Sequence, residues 1–184
     1  MSARQKLYWL LVAATTLVYG ALIFGYGPQL IGMSSFGGWP FDLRMGGYSA
    51  QEARSYIASL GADGVALYIG PVMWLDTFFP AMFALVIGIA MWTLLAKRGR
   101  VLQVGSALIT VAYMVFDYLE NATLYKMMSI DLDLLPDNLI ENASRWTILK
   151  FTFVDAMITI LVTLLILRLV NKKAESPTPD GETG

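Results

Sequence analysis

Hydrophobic residues fall into four long runs, which are separated by shorter stretches rich in charged, polar and glycine residues. The runs cover residues 7–27, 65–96, 101–124 and 145–170. Each holds the ~20 mainly apolar residues that are needed to cross the hydrocarbon core of a bilayer. Within that core a chain must pair its own backbone polar groups, so each run is predicted to be a helix. The pattern predicts an all-α integral membrane protein, an antiparallel bundle of four transmembrane helices spanning residues 7–173.

The connection over residues 28–64 has a helical pattern of its own. Ser49 stands at an N-cap position and Glu52 follows three residues later, which is the capping-box spacing. Ala53, Ile57 and Leu60 recur on one helical face, and Gly61 suits the position just past the helix end. We expect a short amphipathic helix over residues 50–60, lying at the outer membrane interface or over the mouth of the bundle. The preceding glycine- and aromatic-rich stretch is either a surface loop or a lid.

Basic residues predict how the chain is oriented. They cluster at residues 4–6, 97–100 and 168–173, on one side of a four-helix topology. Cytoplasmic loops carry the excess of Lys and Arg. We therefore expect a multi-pass protein of the inner cell membrane with both termini in the cytoplasm. Residues 1–6 form the short N-terminal end, and residues 174–184 have the composition of a disordered tail.

The third run carries a polar stripe. At 100° per residue, seven polar residues fall within a narrow arc: Gln103, Ser106, Thr110, Tyr113, Asp117, Glu120 and Asn121. The residues between them are mostly apolar. We therefore predict that one polar face of this helix turns away from lipid and toward the axis of the bundle.

The first and fourth runs carry weaker stripes. Tyr8, Thr15, Tyr19 and Tyr26 share a face on the first, and Thr152, Asp155, Thr159 and Thr163 share a face on the fourth. We expect these stripes to meet that of the third helix at the bundle axis. Lys150 lies well around the fourth helix from Asp155, so it either lines the same site or extends to the membrane surface.

The second run carries Asp76, with Pro80 four residues later. Proline has no backbone N–H to bond the carbonyl of the residue four positions before it. The helix is thus opened at the residue that carries the carboxylate. Two interpretations remain open. In one the kinked segment lines a functional site, and in the other the kink serves helix packing alone.

Composition limits the chemistry. The chain has 184 residues, 57% of them hydrophobic and only 15% charged, with no cysteine and no histidine. This excludes thiol chemistry, disulfides, histidine-ligated metals and Ser-His triads. We expect no cofactor and no metal site. The net charge of −1 gives no indication of a nucleic-acid partner.

Ionisable groups at membrane depth are costly and usually functional. Asp117, Glu120 and Asp76 are the candidate proton donors or acceptors. The candidate ligand-binding residues are Asn121, Tyr113, Arg44, Lys150 and Asp155. Whether these groups catalyse a reaction is left open by the sequence.

Three functions fit this pattern. The first is a carboxylate-rich site, open to the outer leaflet, that binds an amphipathic lipid-like or isoprenoid ligand or processes it by acid–base chemistry. The second is a proton-coupled small transporter that works as an oligomer. The third is an accessory membrane subunit whose acids pair with a partner's basic residues. The expected partners are membrane lipids, with a homo-oligomer or a membrane protein as further possibilities.

Overall fold

A computed structural model describes residues 1–35 and 38–174, and every regular element in these residues is helical. The main helices are α1 (Ala3–Gly20), α2 (Gly27–Met33), α3 (Ala50–Leu67), α4 (Met73–Leu94), α5 (Arg100–Met128) and α6 (Asp137–Ala174). Two π-helical turns, Ala21–Tyr26 and Tyr68–Val72, join α1 to α2 and α3 to α4, and short 3-10 turns cover Phe41–Leu43 and Leu132–Leu134. Nearly all of the predicted C-terminal tail lies outside the described residues.

In the part of the chain that the structure describes, four helical stretches are long and apolar enough to cross a membrane. They are Ala3–Met33, Ala50–Leu94, Arg100–Met128 and Asp137–Lys172. The prediction of four long apolar helices is confirmed, and it indicates a multi-pass membrane protein. Three of them extend beyond both ends of the predicted apolar runs, and Ala50–Leu94 is longer because it also includes the helix expected over residues 50–60.

The start of α3 follows the predicted capping box. The Ser49 hydroxyl accepts from the Glu52 N–H, and the Glu52 carboxylate accepts from the Ser49 N–H. Gly61 has a φ of +63°, so the helical path is interrupted there. A left-handed φ of this kind is available to glycine at little steric cost. The helix over residues 50–60 is therefore present, and its place at a membrane interface stays a prediction.

The second spanning stretch bends at a different residue from the one expected. Helix α4 continues through Pro80, and the non-helical backbone angles lie at Gly70, before Pro71. Because Pro80 has no N–H, the Asp76 carbonyl oxygen lacks its usual donor within α4. It accepts a hydrogen bond from another helix instead. The Asn121 Nδ2 donates to the Asp76 carbonyl oxygen at 3.4 Å.

Two apolar clusters form the core of the described residues. One lies where residues 38–49 pack on the helices, a region we call the loop end, and includes Phe41, Tyr56, Tyr68, Leu124 and Ile140. The other is formed by α4, α5 and α6 around Ile87, Met91, Tyr113, Met157 and Leu164. Helix α5 contributes to both clusters, which places its polar stripe inside the bundle.

Candidate functional site

The polar stripe of α5 faces inward as predicted. All seven of its members are at most 9% exposed: Gln103, Ser106, Thr110, Tyr113, Asp117, Glu120 and Asn121. The stripe separates into two parts. The Ser106 and Thr110 hydroxyls bond carbonyls of their own helix, whereas Glu120, further along, pairs with Lys150 of α6.

A buried ion pair lies at the centre of the site. The Lys150 ammonium of α6 pairs with the Glu120 carboxylate of α5, and both side chains are almost fully buried. The Thr147 hydroxyl, one turn before Lys150, donates to the other Glu120 oxygen. The Lys150 Nζ also donates to the Asp42 carbonyl oxygen at 3.1 Å. Lys150 therefore lines the bundle interior and does not extend to the membrane surface.

Asp117 lies one helical turn before Glu120 and is 3% exposed. Its side chain lies close enough to that of Tyr113, one turn earlier, to interact with it. Its Oδ1 atom is buried and has no hydrogen-bond partner among the described residues. Buried polar atoms normally have partners, so an unpaired carboxylate oxygen needs an explanation in function or bound solvent.

Asp76 of α4 completes the acidic group. Its half-buried carboxylate interacts with Asn121, which also holds its main-chain carbonyl. The Lys150 ammonium is close enough to interact electrostatically with Asp76, Asp117 and Asp42 as well as with Glu120. Within the described residues, this acidic cluster thus brings four carboxyl groups around one ammonium group.

The excess of carboxyl groups has a chemical consequence. Burial disfavours an uncompensated charge, and neighbouring carboxylates repel one another. The acidic cluster therefore offers more acceptor oxygens than Lys150 alone can neutralise, and a proton or a cationic group could bind there. Both alternatives suit a site that exchanges protons or binds a donor-rich headgroup.

The connection before α3 covers the acidic cluster. The Tyr68 hydroxyl donates to the Asp42 carboxylate, and the Tyr48 N–H donates to the Ser144 Oγ of α6 at 2.8 Å. Burial, followed by the nearby Glu120 carboxylate, raises the pKa of the Tyr48 phenol. Tyr48 therefore stays a neutral hydroxyl group. Of the two interpretations of this connection, the packing agrees with a cover more than with a loose surface loop.

Arg44 lies apart from the ion pair. Its guanidinium group stands over the rings of Phe41 and Tyr56, at 5.0 and 4.6 Å from their centroids. Its Nε donates to the Trp39 carbonyl oxygen at 2.8 Å. Arg44 lines a separate, shallow cavity of about 510 Å³ at the loop end.

The stripe predicted on α6 does not face the bundle axis. Thr152, Asp155, Thr159 and Thr163 are all exposed. The sequence prediction that this stripe converges with that of α5 is therefore wrong, and Asp155 does not join the acidic cluster. The inward face of α6 carries Ser144, Thr147 and Lys150 instead.

Two residues of the site were missed from the sequence, Ser144 and Thr147. They precede Lys150 at intervals of three residues, so all three lie on one helical face. That spacing was a usable signal. It was overlooked because the fourth helix carries a second set of polar residues at similar spacing.

An apolar groove opens on the side of the bundle near Asp76. Its volume is about 860 Å³, and its lining includes Tyr26, Pro71, Trp74, Thr77 and Tyr125. Leu75 and Thr77, the sequence neighbours of Asp76, both line it, whereas Asp76 itself does not. Both π-helical turns contribute to the groove, and such turns are frequent at functional sites.

The chain matches no protein-family model, and comparisons with curated proteins and with solved structures also gave no match.

Proposed function

We propose that the chain is a membrane protein that binds an amphipathic, lipid-like ligand at the acidic cluster. The observation that carries the proposal is the buried Asp117 Oδ1, which has no partner in the described residues. Leaving a buried acceptor unpaired costs ~1–3 kcal/mol. A ligand headgroup that donates a hydrogen bond, such as an amine or a hydroxyl, would recover that cost.

The groove beside Asp76 supports the lipid-like character of the ligand. It has the volume of a small-molecule site, and its lining is mainly apolar and aromatic. A headgroup near Asp76 and Asp117 can then extend an acyl or isoprenoid chain along α4. Asn121, held between Asp76 and the bundle interior, is suited to orient the headgroup.

The same geometry suits acid–base chemistry on the ligand. Asp117, Glu120 and Asp76 are the groups that accept or donate the proton, and Lys150 stabilises the charged carboxylates. Binding without a reaction requires only that these residues hydrogen-bond to the ligand. Turnover additionally requires a proton to leave the acidic cluster.

A proton-coupled carrier is the second candidate. It is favoured by the length of the buried stripe, since Gln103 and Asn121 are ~27 Å apart along α5. The Ser106 and Thr110 hydroxyls are occupied by their own helix, which leaves this part of the stripe poorly suited to relay protons.

The proposed location is the inner cell membrane, with the basic clusters in the cytoplasm. Arg4 and Lys6, the link at residues 97–100, and Arg168 supply these charges. The ligand would then enter from the outer leaflet, which the loop end faces in this orientation.

Native mass spectrometry of the full chain in mild detergent tests the ligand site. We expect the protein to retain a lipid-like species and Asp117→Asn to lower its occupancy at least fivefold, because the amide is a weaker acceptor than the carboxylate. Asp155→Asn is the matched control, since it changes the same group outside the site. A ligand-free chain, or equal losses in both variants, would overturn the proposal.

A further inference from the structure

The acidic cluster has more carboxyl groups than its one ammonium group can pair with. Lys150 forms its ion pair with Glu120, whose second oxygen accepts from the Thr147 hydroxyl. The same ammonium group also donates to a main-chain carbonyl, that of Asp42. This part of the site is therefore electrically neutral and hydrogen-bonded without a ligand.

Asp76 and Asp117 are left on the side of the cluster that α4 and α5 form. Within the described residues, neither carboxylate belongs to an ion pair with a basic side chain. The apolar runs that carry them, residues 65–96 and 101–124, contain no lysine or arginine. The two groups are close enough to interact electrostatically, and the Asp117 Oδ1 is buried without a partner. Two neighbouring carboxylates thus lack a cation of their own, and one of them also lacks a hydrogen-bond donor.

We infer that the ligand of this site carries a primary ammonium headgroup, which binds between Asp76 and Asp117. The inference rests on the proposed function and specifies its ligand class, a cationic amphiphile. One ammonium group offers three N–H donors, so it can donate to both carboxylates and offset part of their charge. The neighbouring groove, which Leu75 and Thr77 help to line, would receive the alkyl chain.

Other headgroups would leave part of this site unsatisfied. A hydroxyl group donates one hydrogen bond but brings no charge to offset two neighbouring carboxylates. A quaternary ammonium group brings the charge but has no N–H for the Asp117 Oδ1. A proton on Asp117 neutralises that carboxylate, yet it leaves the Oδ1 without a partner. For a metal ion, the described residues offer no group of three acidic side chains that could hold it.

Three probes that share a dodecyl chain test the headgroup on the unchanged protein. Dodecylamine, dodecanol and dodecyltrimethylammonium are added at equal concentration to the delipidated full chain, and native mass spectrometry measures the bound fraction. We expect dodecylamine to be retained about tenfold more than either of the others, because hydrogen bonds between charged groups are roughly twice as strong as neutral ones.

Two variants separate binding at the site from uptake of the probes by detergent. Asp76→Asn/Asp117→Asn should bring the retention of dodecylamine to within about threefold of that of dodecanol, because neither amide carries a charge. Asp155→Asn removes a carboxylate from the exposed face of α6 and should keep the full preference. Partitioning into micelles contributes equally to every form, since all are measured in the same detergent.

Equal retention of dodecylamine and dodecanol by the unchanged chain, or an undiminished preference in the double variant, would overturn the ammonium headgroup. The proposed function would survive the first of these results if Asp117→Asn lost the dodecanol, since the site would then bind a neutral headgroup. Retention of no probe and of no natural lipid-like species would instead overturn both the headgroup and the ligand site.

Discussion

The Glu120–Lys150 pair joins α5 to α6 through charges that have little access to water. Truncating one partner of a buried ion pair leaves the other charge uncompensated, at a cost of ~3–5 kcal/mol. At this site the cost is compounded, because Asp117, Asp76 and Asp42 also rely on the Lys150 ammonium. The lysine is thus the group on which the electrostatics of the acidic cluster depend.

Lys150→Met is expected to lower the free energy of unfolding by ~3 kcal/mol. The double variant Glu120→Gln/Lys150→Met should lose less than the single one, because it leaves one buried charge fewer. Equilibrium unfolding in detergent measures both differences.

Arg145→Met is the matched control for that measurement. It breaks a pair with Glu141 whose side chains are 70% and 60% exposed, and exposed pairs contribute less than ~1 kcal/mol. Equal destabilisation by Lys150→Met and Arg145→Met would contradict the role assigned to the buried pair.

The inward position of Lys150 could not be predicted from the sequence. A lysine near the end of a spanning helix satisfies its charge equally well at the membrane surface or opposite a buried acid. Only the rotation of α6 against α5 decides between them, and that rotation depends on packing along the whole helix. Asp117 and Glu120 were predictable because their helix carries a single polar face.

Helices α4 and α5 are connected by a bond that follows from one proline. Pro80 cannot bond the Asp76 carbonyl, and Asn121 from α5 supplies the missing donor. The hydrogen bond that is missing within α4 is thereby replaced by one between α4 and α5, next to the acidic cluster.

A double-mutant cycle tests this relation. Asn121→Ala should lower the free energy of unfolding by ~1 kcal/mol in the natural chain, because it leaves the carbonyl unpaired. In a Pro80→Ala background the restored N–H bonds that carbonyl, so the same substitution should cost much less. The coupling is read from unfolding of the four variants in detergent.

Additive effects of Asn121→Ala and Pro80→Ala would show that the proline and the asparagine act independently. Thr123→Ala provides the control, since its hydroxyl bonds the Leu119 carbonyl within α5 and does not reach α4. Its effect should be the same in both backgrounds.

The helices could be predicted from the sequence, but which face of α6 packs against the bundle could not. Apolar runs and the capping box at Ser49 depend on nearby residues, so the sequence alone indicates them. Helix α6 carries two polar faces at helical spacing, one through Thr147 and Lys150 and one through Asp155. Periodicity finds both faces but does not say which of them meets the bundle.

Across the whole molecule, the polar groups divide between two regions. The acidic cluster lies inside the bundle near the loop end, and the exposed polar residues of α6, which are Thr152, Asp155, Thr159 and Thr163, lie outside it. Variants of these outer residues are therefore expected to leave the proposed ligand site unchanged.

The orientation of the chain is testable at this scale. Ser129→Cys and Ala96→Cys place single thiols at exposed positions in two different connections. An impermeant maleimide added to intact cells should label Ser129→Cys, whereas Ala96→Cys should react only after permeabilisation, because the basic link is expected in the cytoplasm. Labelling in the reverse order would contradict the proposed orientation.

The connection over residues 38–49 has a consequence for rates. Its attachments through Asp42 and Tyr48 hold it against α6 over the acidic cluster. A barrier of this kind delays entry and exit by the same factor, so it lengthens residence time without changing affinity. Tethering the connection to α6 would therefore produce a site that fills slowly, empties slowly and binds as tightly as before.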